Sequence, residues 1–283
     1  MAAWELSSVE RLTVAGGGSV VCKCVSVVFG AEARVLAHVY AHQVPVPRLL
    51  AADEYFDGTA GMLLEDLGPA LAEPGFADTV QAALAVHACP PLLPVPGLRG
   101  LPVVDEAALA GLPQRALVRL GELRCVHRWA GTADIRAGLE HLAVLAATRA
   151  GGARIPPFGM CHGEYRPGSV HIGRDGLRVL DWGRAHTGPG LLDLVSWQAG
   201  PAPLDLGTID EQIDAYISGG GPVSARADRG GITAAEWAGG WQRLQAVDWL
   251  LELAAVWLCD PVDDPALVEA IRRYVQEAIT CLK

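Results

Sequence analysis

A short hairpin with polar residues at its open end is the feature that most constrains this chain. Ser169–Ile172 and Leu177–Leu180 are strand-like runs separated by Gly173-Arg174-Asp175-Gly176, a turn-forming tetrapeptide. The start of the first arm and the end of the second lie at the same end of a hairpin. Ser169 and Asp181, twelve residues apart, therefore come side by side. Just upstream, His162-Gly163-Glu164-Tyr165-Arg166-Pro167-Gly168-Ser169 sets an acid and a small polar residue five positions apart on a loop. Two oxygen donors placed as Ser169 and Asp181 are suit a metal ion.

The opening residues predict strand, turn, strand, helix. Val9–Val14 and Ser19–Val28 are rich in β-branched residues around Gly16-Gly17-Gly18, which tolerate positive φ in a hairpin turn. Val35, Leu36 and Val39 give Ala31–His42 a helical spacing, stopped by Pro45 and Pro47. Strands are expected at Arg48–Tyr55 and Gly61–Glu65, divided by Asp57-Gly58. Helices then take over: Phe76–Ala88, Pro113–Trp129 and Ala133–Ala147, with a Pro-rich break from Cys89 to Pro102. Beyond a Gly/Pro-rich passage and the hairpin come Leu191–Ala199, Ile209–Ile217, Ala234–Cys259 and Ala266–Cys281, again helical. No internal repeat occurs at solenoid periods.

A chain of 283 residues that is 51% hydrophobic and 19% charged is globular rather than disordered. The longest apolar runs, Ser19–Val28 and Trp249–Leu258, are interrupted by Lys23 and Glu252 and are too short to span a bilayer. With no signal-peptide pattern at its start, the chain is expected to be cytoplasmic, with no membrane partner. A net charge of −10 argues against nucleic acid and suits a cationic substrate, or simply solubility. The seven cysteines are scattered without a C-x-x-C pair, so they are expected to be reduced and mostly packed. Cys22 and Cys24 alternate across Lys23 and so share one strand face.

Phosphoryl transfer needs a group to orient the attacking hydroxyl, oxygen ligands for magnesium and a cation on the nucleotide phosphates. Each has a candidate here. His162-Gly163, Asp181-Trp182, Gly188 and Asp193-Leu194 fall at the offsets of a catalytic loop, hairpin and following helix. In these residues the chain resembles the aminoglycoside phosphotransferase and choline kinase-like family, relatives of protein kinases. The resemblance runs from about Val9 to Leu194. It implies an α+β, bilobal, protein-kinase-like fold: a small β-rich N-lobe over residues 1–67 and a larger helical C-lobe over 68–283, with nucleotide between them. It further implies that Lys23 holds nucleotide phosphates, that Glu32 is its helical ion-pair partner, and that Val44-Pro45-Val46-Pro47 is the helix exit. Gly61–Gly68, with Glu65 and Leu67, resembles the lobe connector whose backbone binds adenine, and Leu84–His87 resembles the helix that follows. Glu164 takes the place of the catalytic aspartate, Asp181 is the metal ligand, and Ser169 replaces the family's metal-binding asparagine.

Three departures bear on chemistry. Glu164 is one methylene longer than aspartate, and a misplacement of about an ångström can cost on the order of a hundredfold in rate. Ser169 is shorter than asparagine and suits only weak or water-mediated ligation. The family's first strand and nucleotide loop should precede Val9, where little sequence remains; Gly16–Gly18 form the phosphate cover in an alternative register. The leading expectation is an ATP- or GTP-dependent, Mg2+-assisted phosphotransferase acting on a hydroxyl of a small molecule or peptide natural product, with antibiotic resistance among the roles such an activity serves. The rival is a pseudokinase or kinase subunit of a peptide-modifying biosynthetic complex, with a protein partner. His162, Asp193 and His87 are expected to be structural, Trp237, Trp241, Trp249 and Trp257 to be core, and Arg166 and Arg184 to lie at the surface, with phosphate contact or balance of Glu164 as the alternative.

Overall fold

The structure is a computed structural model that describes residues 2–4, 6–55, 57–94, 100–198, 200, 202–257 and 264–283. Along the chain the elements are β1 (Ala2–Trp4), β2 (Ser7–Thr13), β3 (Ser19–Val25), α1 (Glu32–Ala41), β4 (Leu49–Glu54), β5 (Ala60–Glu65) and α2 (Phe76–Ala88). There follow α3 (Glu106–Ala110), α4 (Leu112–Cys125), α5 (Ala133–Arg149), β6 (Phe158–Cys161), β7 (Val170–Gly173), β8 (Gly176–Val179) and β9 (His186–Pro189). The chain ends with α6 (Leu191–Ser196), α7 (Leu206–Ser218), α8 (Ala234–Glu252) and α9 (Asp264–Leu282). A small antiparallel sheet thus precedes a larger helical part, the layout of the protein-kinase-like fold. By packing, the chain forms two compact units: Met1–Pro102 with Gly159–Trp197, and Val103–Phe158 with Gln198–Lys283.

In the first unit the sheet runs β1-β2-β3-β5-β4, with all four pairings antiparallel. Gly16, Gly17 and Gly18 all have φ near +93°, so the turn they form between β2 and β3 excludes side-chain-bearing residues at little cost to glycine. That turn lies at the Ser19 end of β3, about 13 Å from Lys23 at the usual strand rise, so Gly16–Gly18 do not cover the lysine. The link between β1 and β2 lies at the other end, where Leu6 O accepts the Ser26 N–H. A strand therefore does precede Val9, contrary to the expectation from sequence; its three residues are too few to show periodicity. Strand β3 stops at Val25, short of the expected Val28, because Val27–Phe29 wind into a 3-10 turn. Ala60, Met62 and Leu64 of β5 are buried, and Lys23 pairs with Met62, so Lys23 faces inward. Helix α1 buries Val35, Leu36 and Val39 as its spacing predicts.

The β7–β8 hairpin pairs Val170 with Val179 and closes at Gly173 and Gly176. Two backbone bonds tie it to the rest of the unit: Val179 N–H to Pro45 O at 2.7 Å and Leu71 N–H to Ile172 O at 2.8 Å. Strands β6 and β9 pair on either side of it in sequence. Neither is expected from sequence, because strands of four residues are too short to carry an alternation to read.

The second unit is helical. Helix α8 starts with a reciprocal cap, Thr233 Oγ1 accepting the Glu236 N–H while Glu236 Oε2 accepts the Thr233 N–H. The indoles of Trp237 and Trp241 both donate to Arg149 O, at 2.8 and 3.2 Å, satisfying a carbonyl at the end of α5. Both are core, as expected. Helix α8 widens into a π turn at Leu253–Trp257; the expected continuation to Cys259, like the expected end of α6 at Ala199, lies outside the described residues. Among the described residues no helix is long and apolar enough to cross a membrane.

Glycines set the closest helix contacts. A Cβ on Gly138 of α5 would lie 2.4 Å from Val275 Cγ1 of α9. Gly138→Ala is expected to lower the urea midpoint, because overpacking costs about 1–3 kcal/mol against a helix-propensity gain of about 1 kcal/mol. An unchanged or higher midpoint in urea denaturation would show that the contact relaxes freely.

Candidate active site

Strand alternation turns Lys23 inward, and the first turn of α1 brings Glu32 to meet it. Lys23 Nζ donates to Glu32 Oε1 at 2.6 Å and to Asp181 Oδ1 at 2.9 Å. The same Glu32 Oε1 accepts the Trp182 N–H at 3.1 Å. Lys23 and Glu32 are buried, whereas the Asp181 side chain is 59% exposed, so one carboxylate is structural in character and the other faces solvent. Burial alone would lower the Lys23 pKa; the carboxylates of Glu32 and Asp181 outweigh it and hold Lys23 above its usual value. Asp181 sits in the left-handed region (φ 60°, ψ 61°), which aspartate tolerates better than most residues. The turn after it, Trp182–Arg184, packs Gly183 against Phe29; a Cβ there would lie 2.9 Å from the ring.

Asp193 organises the loop before the hairpin. Its Oδ2 accepts the His162 N–H at 2.6 Å and its Oδ1 the Gly163 N–H at 2.9 Å, while His87 Nε2 lies 3.4 Å from Oδ2. Burial would raise this carboxyl, but the hydrogen bond and charge of His87, with His162 and His186, hold it below the usual carboxylate range. Burial pushes His186 down and Cys161 up. His162 Nε2 is 2.6 Å from Leu180 O and its Nδ1 accepts the Glu164 N–H at 3.3 Å, which assigns the ring proton to Nε2. Gly163 has φ +83°, and a Cβ there would lie 2.1 Å from Arg184 O. Only glycine fits.

The loop so held presents Glu164, whose carboxylate pairs with the Arg166 guanidinium at the surface. Ser169 Oγ donates to Glu164 O at 2.8 Å, and Leu180 N–H donates to Ser169 O at 2.8 Å. Ser169 therefore lies beside the residue before Asp181, as the hairpin argument requires. Lys23, Glu32 and Asp181 come together directly, and Glu164 and Ser169 share one loop. Glu65 and Leu67 lie elsewhere: Glu65 pairs with Val20, three residues along β3 from Lys23. Asp66 between them anchors that connector by accepting from Ser19 Oγ at 2.5 Å, from the Gly68 N–H at 2.9 Å and from Arg11.

This arrangement is that of a protein-kinase-like phosphotransfer fold. A sequence profile of the phosphotransferase enzyme family matches residues 25–229, and the chain belongs to that family. No curated protein matches it. Among solved structures it is similar to a protein of Haemophilus somnus 129PT provisionally named a fructosamine-3-kinase (14% identity, 99% of this chain and 90% of that one, TM-score 0.63). It is also similar to a thermostable mutant of aminoglycoside phosphotransferase APH(4)-Ia in ternary complex with AMP-PNP and hygromycin B (14%, 98% and 92%, 0.58). A third is an aminoglycoside phosphotransferase of Alicyclobacillus acidocaldarius (14%, 99% and 88%, 0.52). Identities this low establish a shared fold.

A carboxyl whose folded pKa is depressed contributes stability above its unfolded pKa and loses it as pH falls through the folded value. Asp193→Asn is therefore expected to lower unfolding free energy at pH 7 by about 1.5–3 kcal/mol. It is also expected to flatten the loss of stability below roughly pH 4. Urea titrations across pH check both; a variant as stable as the parent at pH 7 would remove Asp193 from this role.

Proposed function

We propose that the protein is an ATP- or GTP-dependent phosphotransferase acting on a hydroxyl of a small molecule or peptide natural product. The observation that carries this reading is the Lys23 ammonium held between Glu32 and Asp181 within a fold of this family. In this reading residues 1–67 and 68–283 act as the two lobes. Lys23, fixed by Glu32, binds nucleotide phosphates, and the connector backbone around Glu65 and Leu67 receives the base. The exposed Asp181 carboxylate offers an oxygen to Mg2+, an ion that one or two carboxylates plus phosphate oxygens and water suffice to hold. Ser169, its proton committed to Glu164 O, keeps a lone pair for a supporting role. When bound, magnesium neutralises charge on the transferring phosphoryl group.

Glu164 then orients the acceptor. The acceptor hydroxyl oxygen bonds to the γ-phosphorus, the bond to the β-phosphate oxygen breaks, and the hydroxyl proton passes to the Glu164 carboxylate. The net charge of −10 favours a cationic acceptor. The chemistry fits antibiotic modification as well as biosynthesis, and AMP-PNP and hygromycin B in APH(4)-Ia illustrate such a pair of ligands.

A second reading is a pseudokinase or partner-dependent kinase subunit. It is favoured by the engagement of Glu164 with Arg166 and of Ser169 Oγ with Glu164 O, which occupies both altered positions within the loop.

Thermal-shift titration with ATP or GTP, with and without Mg2+, tests nucleotide binding; stabilisation by one of them is expected, and none by either would overturn the enzyme reading for the isolated chain. Asp181→Asn is expected to abolish the Mg2+ dependence of that stabilisation. Given an acceptor, Glu164→Gln is expected to lower kcat by about 10²–10⁴ while leaving nucleotide affinity within about twofold. Unchanged turnover would exclude Glu164 as the proton acceptor, and absence of transfer in the parent would favour the second reading.

A further inference from the structure

The strand that turns Lys23 inward carries two thiols on its other face. Cys22 is half-buried and Cys24 exposed, and both are free. The register sets Glu10 and Leu63 beside Cys22, and Ser8 and Gly61 beside Cys24. Gly61 contributes no side chain of its own, and a Cβ there would meet the Tyr55 ring and hydroxyl in ordinary van der Waals contact, 3.8 Å away at the nearest. Burial first, and then the neighbouring Cys24 thiol, push Cys22 above the usual thiol pKa. The remaining described thiols do not converge: Cys89, Cys161 and Cys281 are buried, and Cys125 is exposed on α4. The expectation that the cysteines are mostly packed thus fails at Cys22, Cys24 and Cys125.

Strand geometry decides what such a pair can do. Residues i and i+2 of a strand have Cα atoms about 6.6–6.8 Å apart, with Cβ atoms projecting in parallel. A disulfide needs Cβ atoms about 3.8 Å apart. β3 is hydrogen-bonded on both sides, to β2 and β5, so closing that gap would break its ladder. A bridging cation is a longer link. With metal–sulfur bonds of about 2.3 Å, two thiolates stand up to about 4.6 Å apart, a separation within reach of side-chain rotation.

We propose that Cys22 and Cys24 form a two-thiolate binding site for a single thiophilic cation of the Cu(I) class on the outward face of β3. Two sulfurs suit a soft, low-coordinate cation; zinc requires four ligands, and Glu10 is the one further carboxylate that the paired strands set beside them. Binding forms two metal–sulfur bonds and releases two thiol protons to solvent, with no change of oxidation state, so affinity rises with pH.

Anaerobic competition of the reduced full chain against a chromogenic Cu(I) chelator tests the site. The parent and Cys125→Ser are expected to take up one Cu(I) per chain with equal affinity. Cys22→Ser and Cys24→Ser are each expected to bind at least tenfold more weakly. Parent-like affinity in Cys24→Ser, loss of uptake in Cys125→Ser, or failure of the parent to compete would overturn the proposal. Cys24 is exposed, so its variant carries the test even if Cys22→Ser does not fold.

Discussion

One carboxylate oxygen, Glu32 Oε1, joins three distant segments of this chain. It accepts from Lys23 Nζ on β3 and from the Trp182 N–H just past Asp181, while sitting in the first turn of α1. Lys23 and Glu32 are buried, so removing Lys23 leaves the Glu32 carboxylate without its counter-charge, at a cost of about 3–5 kcal/mol, whereas removing Glu32 leaves Lys23 to the exposed Asp181 alone. That cost is what keeps sheet, helix and hairpin end in register. The placement of Asp181, the candidate chemical group that is open to solvent, follows from it: Trp182 is pinned, and the residue before it must turn outward through a left-handed backbone.

A second anchor, Asp193, acts on the loop rather than the sheet. Its carboxylate takes both backbone N–H groups of His162 and Gly163, and Gly163 allows the close pass by Arg184 O. The two anchors are built from side chains remote in sequence, and neither includes Glu164 or Ser169. The loop can therefore keep its shape while the residues at its chemical positions change. That separation explains how a chain can keep the fold of a phosphotransferase family with a longer acid and a shorter polar residue at the altered positions. In the free protein both altered groups satisfy themselves locally, Glu164 with Arg166 and Ser169 with Glu164 O. An acceptor or metal must compete with those contacts.

Much of this was legible in the sequence because the signals were local or periodic. Alternation set Lys23 on the face opposite Cys22 and Cys24, the three glycines marked the β2–β3 turn, and hairpin geometry alone set Ser169 near Asp181. Helix α2 falls on its expected residues because its apolar spacing and its Pro-rich exit agree. Strands β1, β6 and β9 escaped notice, being three or four residues long and stabilised by pairing partners rather than by composition. Asp193 was recognisable as a structural residue, but its donors lie about thirty residues upstream, a relation only the tertiary structure supplies. Asp66 was visible only as part of the connector; its bonds to Ser19 and Arg11 span strands that the sequence does not pair. The pairing of Arg166 with Glu164 was one of three roles open from sequence and not the preferred one, since charge and spacing alone do not distinguish a partner from a solvated surface group.

The central claim is that the Lys23–Glu32–Asp181 junction is where nucleotide phosphates bind. The most direct measurement is a calorimetric double-mutant cycle for ATP binding with Lys23→Met, Glu32→Gln and the double variant, each first shown to be folded. The account predicts that each single change weakens binding at least tenfold, a loss of about 1.4 kcal/mol, and that the double variant is no weaker than Lys23→Met alone. ATP affinity unchanged in Lys23→Met would contradict it.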